Sequence, residues 1–556
     1  MNAQHNKYFK FNTFLCTLLI LFSFNFNVFA QVDQEDEQRN ESNEENIESK
    51  IEKIAEETEG SVDDYTELVE QLIYLQKNPI NLNRAKAEDL KQIPFLTEIQ
   101  INNLLSHIKN NGKLASIYEL QSIDGFTPDV IDKITPFVYV SEDAKALGIN
   151  MKDVLRETKG ELYVRTQQVL EEQQGFSPIS DSALLAKPNS RYLGSPYRLY
   201  TRFRLKYYNN ISIGITAEKD PGEEFFKGSQ KNGFDYYSAH FFIKDIGIIK
   251  ALAIGDYHAQ FGQGLTFWTG LAYGKSADAV FIKKVPLGLK PYTSSDENLF
   301  LRGVATTIGL NKFEITGFYS KKKIDANVKN QDTLSNEDVF VSSFDETGLH
   351  TTPAELSKKD ALGENIFGGR IAYKTDQLNI GATAAHYIYD IYIQKTPNIY
   401  NKFEFSGEEN TNIGIDYSYI FRNVNFFGEV SRSQNGGMAY LNGILVSLDQ
   451  SVNFAILHRN YGKDFQSFYS TGFSEGSSTY NEKGIYIGLE TKFDKKWLLR
   501  GYVDNFWFPW LKSYTTAPSK GVEYLSELHY IPSKKVSMYG RVKIEVKQTD
   551  NTDASN

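Results

Sequence analysis

The chain has 556 residues and a formal net charge of −10, with 60 basic side chains against 70 acidic ones. That balance leaves no electrostatic footprint for a nucleic-acid partner, and the length has room for more than one domain. Phenylalanine and tyrosine are abundant, at 38 and 34, as in the girdles of membrane barrels. Past the leader, no apolar run of about 18 residues is available to cross a bilayer as a helix, so any membrane residence must come from strands.

Residues 1–30 read as a secretory signal peptide, with Lys7 and Lys10 before an apolar stretch from Phe11 to Phe24 and small residues ending at Ala30. The single cysteine, Cys16, lies inside that stretch, which leaves the mature chain without a disulfide or a cysteine metal site. Residues 31–60 are rich in Glu, Asp, Asn and Gln and read as an acidic disordered tether. At Ser61, a candidate N-cap, the apolar period becomes helical through Val62, Tyr65, Leu68, Val69, Leu72 and Leu75.

Residues 61–140 read as a small all-α periplasmic domain. Asn78-Pro79-Ile80-Asn81-Leu82-Asn83-Arg84-Ala85, Leu90, Ile93-Pro94-Phe95-Leu96-Thr97, Ile101 and Leu104 are followed by a second copy at Ile117, Leu120, Ile123-Asp124-Gly125-Phe126-Thr127, Val130 and Ile134. This pattern resembles the tandem helix-hairpin-helix domain of ComEA-type competence proteins. The resemblance implies DNA binding through the two hairpins, Pro94, Phe95, Leu96 and Thr97 in the first and Asp124, Gly125, Phe126 and Thr127 in the second. Such a hairpin uses glycines to bring backbone N–H groups to a phosphate. Here Phe95 and Thr97 fill both glycine positions of the first copy, and Thr127 fills one of the second. Bases such as Arg84, Lys91 and Lys109 are matched by Glu88, Asp89 and Glu98, so little counterion release would drive DNA affinity. The expectation is a docking or spacer domain for a periplasmic protein partner, with DNA binding as the alternative.

Residues 141–159 read as a linker and 160–547 as an outer-membrane β-barrel of 16–18 antiparallel strands. Strands show in the period-two alternation. Leu199, Phe203 and Leu205 fall on one face and Arg198, Arg202, Arg204 and Lys206 on the other; near the end Val542, Ile544 and Val546 alternate with Arg541 and Lys543. Tight turns at 209–210, 245–247, 310–312, 375–377, 421–423, 448–450, 494–495 and 531–534 alternate with long polar links, including 220–233, 259–298, 322–365 and 460–483. Short turns at one rim and long loops at the other are the pattern of transmembrane barrels. Seventeen strands are counted. An odd count and the polar tail 548–556 lead to the expectation that either one strand is miscounted or the final strands are missing from this sequence, the second being preferred.

The predicted lumen carries both signs: Arg198, Arg202, Arg204, Lys206, Arg541 and Lys543 against Glu314, Glu429, Glu490, Glu523 and Glu527. Such a lining serves either as a solvated channel wall or as ion pairs around a plug. Thr352-Pro353-Ala354-Glu355 is a capping box with proline at the first helical position, so the loop after Lys322 is expected to carry a short helix, ended at Gly363 and folded into the mouth. The glycine-dense segment 255–265, with Asp256, His258 and Gln263, is expected to be a bend at the rim; no nucleophile stands at a recognisable spacing from the His/Asp pair. Together with Thr316-Gly317-Phe318-Tyr319-Ser320-Lys321-Lys322-Lys323 and the hairpins, it resembles the large helix-hairpin-helix outer-membrane proteins of Gram-negative bacteria. The reading is a pore, transporter or envelope-assembly component in contact with outer-membrane lipid, taking a small solute of unknown identity. It is not read as an enzyme, and no cofactor or metal is expected.

Overall fold

The computed structural model describes residues 66–141, 154, 156–272, 274–330, 339–449, 451–494, 496–533 and 536–550. The signal peptide, the tether, the Ser61 cap and most of the linker lie outside them.

The helical domain begins with α1 (Thr66–Lys77). It continues through α2 (Ala87–Leu90), α3 (Glu98–Asn111), a 3-10 turn at Ile117–Ser122 and α4 (Pro128–Ile134). Thr97 and Thr127, each in a glycine position of the expected DNA hairpin, instead cap α3 and α4 by accepting from the backbone N–H of Gln100 and Val130, which satisfies donors that a helix start leaves open. The two hairpins brace each other: Gln100 Nε2 donates to the Gly125 carbonyl at 2.9 Å and Asn103 Nδ2 to that of Asp124 at 3.0 Å. Leu72, Leu75, Leu82, Leu90, Leu104, Leu120 and Ile134 are fully buried between them, and Ile80–Asn81 pairs in parallel with Val138–Tyr139 to tie the domain's ends together.

Among the described residues, seventeen long strands build the wall. They are β1 (Lys159–Gln167), β2 (Arg198–Tyr207), β3 (Ile211–Lys219), β4 (Tyr236–Ile246), β5 (Ile249–Gln260), β6 (Leu301–Leu310), β7 (Phe313–Ile324), β8 (Leu362–Lys374), β9 (Leu378–Gln394), β10 (Ser406–Phe421), β11 (Val424–Ser433), β12 (Met438–Ser447), β13 (Val452–Tyr461), β14 (Glu482–Lys492), β15 (Trp497–Phe508), β16 (Ser519–Ser533) and β17 (Val536–Lys547). Each pairs antiparallel with the next. Three short strands, Gly288–Pro291, Ala326–Asn330 and Val339–Phe344, are added in the long loops.

The strand order runs round to its start, but no paired register joins β1 to β17 among the described residues, and both stand largely exposed on both faces. With an odd count both strands run from the short-turn rim to the long-loop rim, so a closing pair would be parallel while every other wall pair is antiparallel. Among the described residues the seam between these two strands is therefore unpaired.

Alternation sorts the two faces. On β10, Ile413 and Ile415 are 57% and 54% exposed whereas Asn412 and Asp416 are buried; on β3, Ile213 and Ile215 face out and Ser212 and Thr216 in. An apolar outer band round a polar interior is the arrangement of a bilayer-spanning barrel.

The interior is filled. After β5 the chain turns inward at Gly262 and Gly264, which hold φ of +60° and +79°. The residues from Phe261 to Thr269 are all buried. The long link 259–298, expected outside, therefore lies partly within the lumen, because its apolar residues find partners there. Phe267 packs on Phe318 and Tyr469 with ring centroids 4.9 and 5.4 Å away, and Leu265, Ala277, Ala279 and Ile282 join Phe427, Leu441, Leu457 and Tyr486 in a second cluster. Part of the link 462–481 also folds in, through Tyr469, Phe473 and Glu475.

Candidate functional site

Two features stand out in the filled barrel: the inward segment, described over 261–272 and 274–287, and the helical domain seated at the short-turn rim. The segment is held by Glu429 of β11, whose carboxylate accepts the backbone N–H groups of Gln263 (2.6 Å), Leu265 (3.1 Å) and Thr266 (2.8 Å). Gln263 clamps the segment's return, donating to the Lys284 carbonyl at 3.1 Å and accepting from the Lys284 N–H at 3.0 Å. Further along, Lys275 binds Glu475 and sits 3.1 Å from Asp504 and 3.2 Å from Glu523.

At its far end the segment reaches the helical domain. Glu98, the first residue of α3, is shared between Lys91 of its own domain (3.1 Å) and Lys283 of the inward segment. Lys283 also donates to Ser418 at 2.7 Å and Asn425 at 3.3 Å, beside the turn between β10 and β11. Burial alone would raise the Glu98 carboxyl, but the two ammonium groups hold it well below the usual carboxylate range. Round the same rim Tyr74 donates to the Tyr208 carbonyl at 2.7 Å and lies under Lys206 at 3.4 Å. Lys109 meets Asp376 at 2.9 Å, Lys244 meets Asp89 at 3.5 Å, and Lys492 donates to Thr127 at 3.0 Å. The barrel residues here come from short turns or the strand ends beside them.

This placement bears on the hairpin residues. Pro94 and Leu96 line a cavity against the inward segment, Phe95 stacks on Phe137, and Thr127 is engaged by Lys492. Asp124, Gly125 and Phe126 lie at the junction of the two hairpins.

Apart from Lys206 over Tyr74 and Glu429 on the backbone of the inward segment, the expected lumen residues are distributed among ion pairs. Arg198 pairs with Glu218 and Asp220, and Arg202 and Arg204 with Glu161. Glu314 meets Lys374, Glu490 meets Arg500, Glu527 meets Arg541 and His529, and Lys543 lies 3.5 Å from Glu523. The pairing that sequence reading missed is the deepest: Arg459, with no exposed surface, binds Asp504 through both terminal nitrogens and Glu482 through Nε.

The rim trio is corrected by the structure. Asp256, His258 and Gln263 are all buried. The Asp256 carboxylate is taken up by the guanidinium of Arg302, at 2.7 and 2.9 Å; His258 Nδ1 lies 3.3 Å from the Thr269 hydroxyl. The glycines do bend the chain, but into the lumen. The capping box at Thr352 forms with Pro353 leading its helix, which ends at Leu356 rather than at Gly363. Gly363 belongs to β8, and the helix sits beside Asn189 of another loop, whose side chain accepts from the Ala354 N–H.

A clasp gathers the long loops. His350 binds Asp235 at 2.6 Å through Nδ1 and Asp325 at 2.8 Å through Nε2, and Lys359 also reaches Asp235 at 2.6 Å. Burial pulls the imidazole down, but its hydrogen bonds to the two aspartates more than reverse this and push it up to about 10. Glu223 and Glu297 complete two carboxylate–histidine groups with ligand atoms within 4.8 Å of one another. With both imidazole nitrogens bonded to carboxylates, the arrangement works as an ion-pair clasp.

Comparison with known proteins adds one firm identification. The family model of the helix-hairpin-helix motif matches residues 76–139. No curated protein matches the chain. Among solved structures, Wzi of Escherichia coli, an outer-membrane carbohydrate-binding β-barrel involved in group 1 capsule assembly, is 11% identical over 84% of this chain and 94% of its own, with a TM-score of 0.35. OpdQ of Pseudomonas aeruginosa is 11% identical over 63% and 85%, with a TM-score of 0.33. OccK3 of the same organism is 10% identical over 71% and 93%, with a TM-score of 0.35. Likenesses this slight carry no argument, and the fold rests on the strand ladder and its two faces. The chain joins a helix-hairpin-helix domain to a β-barrel of the outer-membrane type.

Proposed function

We propose that the protein passes solutes through the outer membrane, and that its resting conduit is closed by the inward segment and latched by the helical domain at the short-turn mouth. The helical domain then faces the periplasm and the long loops face outside. The observation that carries this reading is Glu98, one carboxylate bonded both to Lys91 of the helical domain and to Lys283 of the inward segment. Such a shared buried group couples the two parts: moving the domain removes the partner of Lys283, and leaving a buried charge unpaired costs about 3–5 kcal/mol. A periplasmic protein that draws the domain away from the rim would supply that energy by binding. DNA uptake is the less supported reading, since Thr127 is already engaged by Lys492 of the barrel and Pro94 and Leu96 of the first hairpin face a cavity walled by the inward segment.

Conductance of the purified chain in a planar bilayer tests this. The wild type should be mostly closed, and Glu98→Lys, which sets a third ammonium group against Lys91 and Lys283, should open it. Equal, steady conductance in both would remove the latch from the account.

A further inference from the structure

Between the first hairpin and the inward segment lies a cavity of about 110 Å³, against the roughly 10–15 Å³ that one water requires when counted the same way. Four of its lining residues are lysines, Lys91, Lys283, Lys284 and Lys290, and no lining residue is acidic. Lys91 and Lys283 share the single carboxylate of Glu98. Lys284 donates to the Thr471 hydroxyl at 3.2 Å and stands 5.1 Å from the centre of the Trp268 ring; among the described residues no carboxylate comes within the 4.0 Å of a salt bridge to it. Three glutamines, Gln71, Gln92 and Gln260, also line it, and the rest of the wall is apolar, with Trp268 95% buried, its N–H already donated to the Leu271 carbonyl at 3.2 Å, and Phe281 and Ile282 nearby.

A lysine with no carboxylate beside it, in a cavity whose wall is mostly an indole and aliphatic groups, has a defined chemical complement. A neutral sugar would bring Lys284 no anionic partner. A bare inorganic anion would leave the apolar wall wet. We infer that this cavity binds a small organic anion, a carboxylate or phosphate ester whose anionic end meets Lys284 and whose flat apolar body lies along Trp268. Pockets of this composition, mostly apolar with a few fixed polar groups, are how proteins orient small ligands. The cavity adjoins both Lys91 and Lys283, so its occupant would also compete for the two ammonium groups that Glu98 bridges. The inference rests on the conduit reading for its purpose but not for its chemistry. Binding in detergent tests the cavity and bilayer conductance tests the pore, so the two can fail separately.

The test is calorimetric titration of the full chain in detergent with benzoate, with benzyl alcohol and inorganic phosphate as comparators. Benzoate should bind one to one and saturably. Lys284→Gln should weaken it by about tenfold or more, the equivalent of losing one charge-assisted hydrogen bond, while Lys402→Gln on an exposed loop should leave it unchanged. If Lys284→Gln fails to give a folded barrel, judged by its heat-dependent mobility in detergent gels, Lys284→Met, which keeps the aliphatic stem and removes the charge, takes its place with the same expectation. No saturable heat with benzoate, undiminished binding in the lysine variant, or equal binding of benzyl alcohol or of phosphate would each overturn the proposal.

Discussion

Replacing Glu429 by alanine should release the inward segment from the wall. Its carboxylate accepts three buried backbone N–H groups, those of Gln263, Leu265 and Thr266, and alanine leaves all three without their acceptor. Each buried donor left unsatisfied costs about 1–3 kcal/mol. Water entering the space of the lost side chain offsets part of this, so about 3–6 kcal/mol should be lost from the docked state of the segment. Hydrogen exchange read by mass spectrometry on peptides covering 261–269 measures the effect directly, because local opening sets the exchange rate there. A loss of about 3 kcal/mol corresponds to exchange faster by about two decades, with peptides from the outer part of β10 unchanged. Glu429→Gln keeps one carbonyl oxygen as acceptor and should fall between. Unchanged exchange at 261–269 in Glu429→Ala would refute the claim that this carboxylate holds the segment.

Two further outcomes follow from the same geometry. At Gly262, φ is +60° and an added Cβ would come within 2.5 Å of Glu429 Oε2; Gly262→Ala should therefore undock the same peptide, by about 1–2 kcal/mol from backbone strain alone, and exchange should rise with the barrel still folded. For the loop clasp, the His350 pKa lies above its ordinary value of 6.5. Its stabilising contribution is thus fully present below about 6.5 and is lost as pH rises through about 10. Protease cleavage of the loop 345–360 should become faster across that interval in the wild type, whereas His350→Gln should be cut readily at neutral pH with a much weaker pH response.

The wall was legible in the sequence because its signals are local. Period-two alternation marks each strand, and residues such as Asn209-Asn210, Asp245 to Gly247 and Thr375 to Gln377 mark short turns; the described residues form seventeen long strands with short links at these positions. The helical repeats were legible for the same reason, since caps such as Thr97 and Thr127 act within three residues. What local pattern could not show was the path of the segment after β5. Its anchor, Glu429, lies 163–166 residues further along the chain, and Glu98 is 185 residues before Lys283. A usable signal was present all the same: Phe261, Leu265, Phe267 and Trp268 are too apolar for a solvated loop, and alternating glycines at 262 and 264 allow sharp turning. The cavity lysines were invisible for a different reason, because Lys91 and Lys284 come together only when two domains meet.

A nitroxide scan along β10 tests the central claim most directly, with single cysteines placed from 412 to 420 in the mature chain, which has no cysteine after Cys16, and the protein reconstituted in a bilayer. Collision with oxygen should peak at Ile413 and Ile415, the outward positions, with period two, while a water-soluble nickel reagent should be excluded from both faces because lipid covers one and the inward segment fills the other. Strong nickel access at 412, 414 and 416 would show an open, water-filled lumen. Loss of the alternation would contradict the barrel itself.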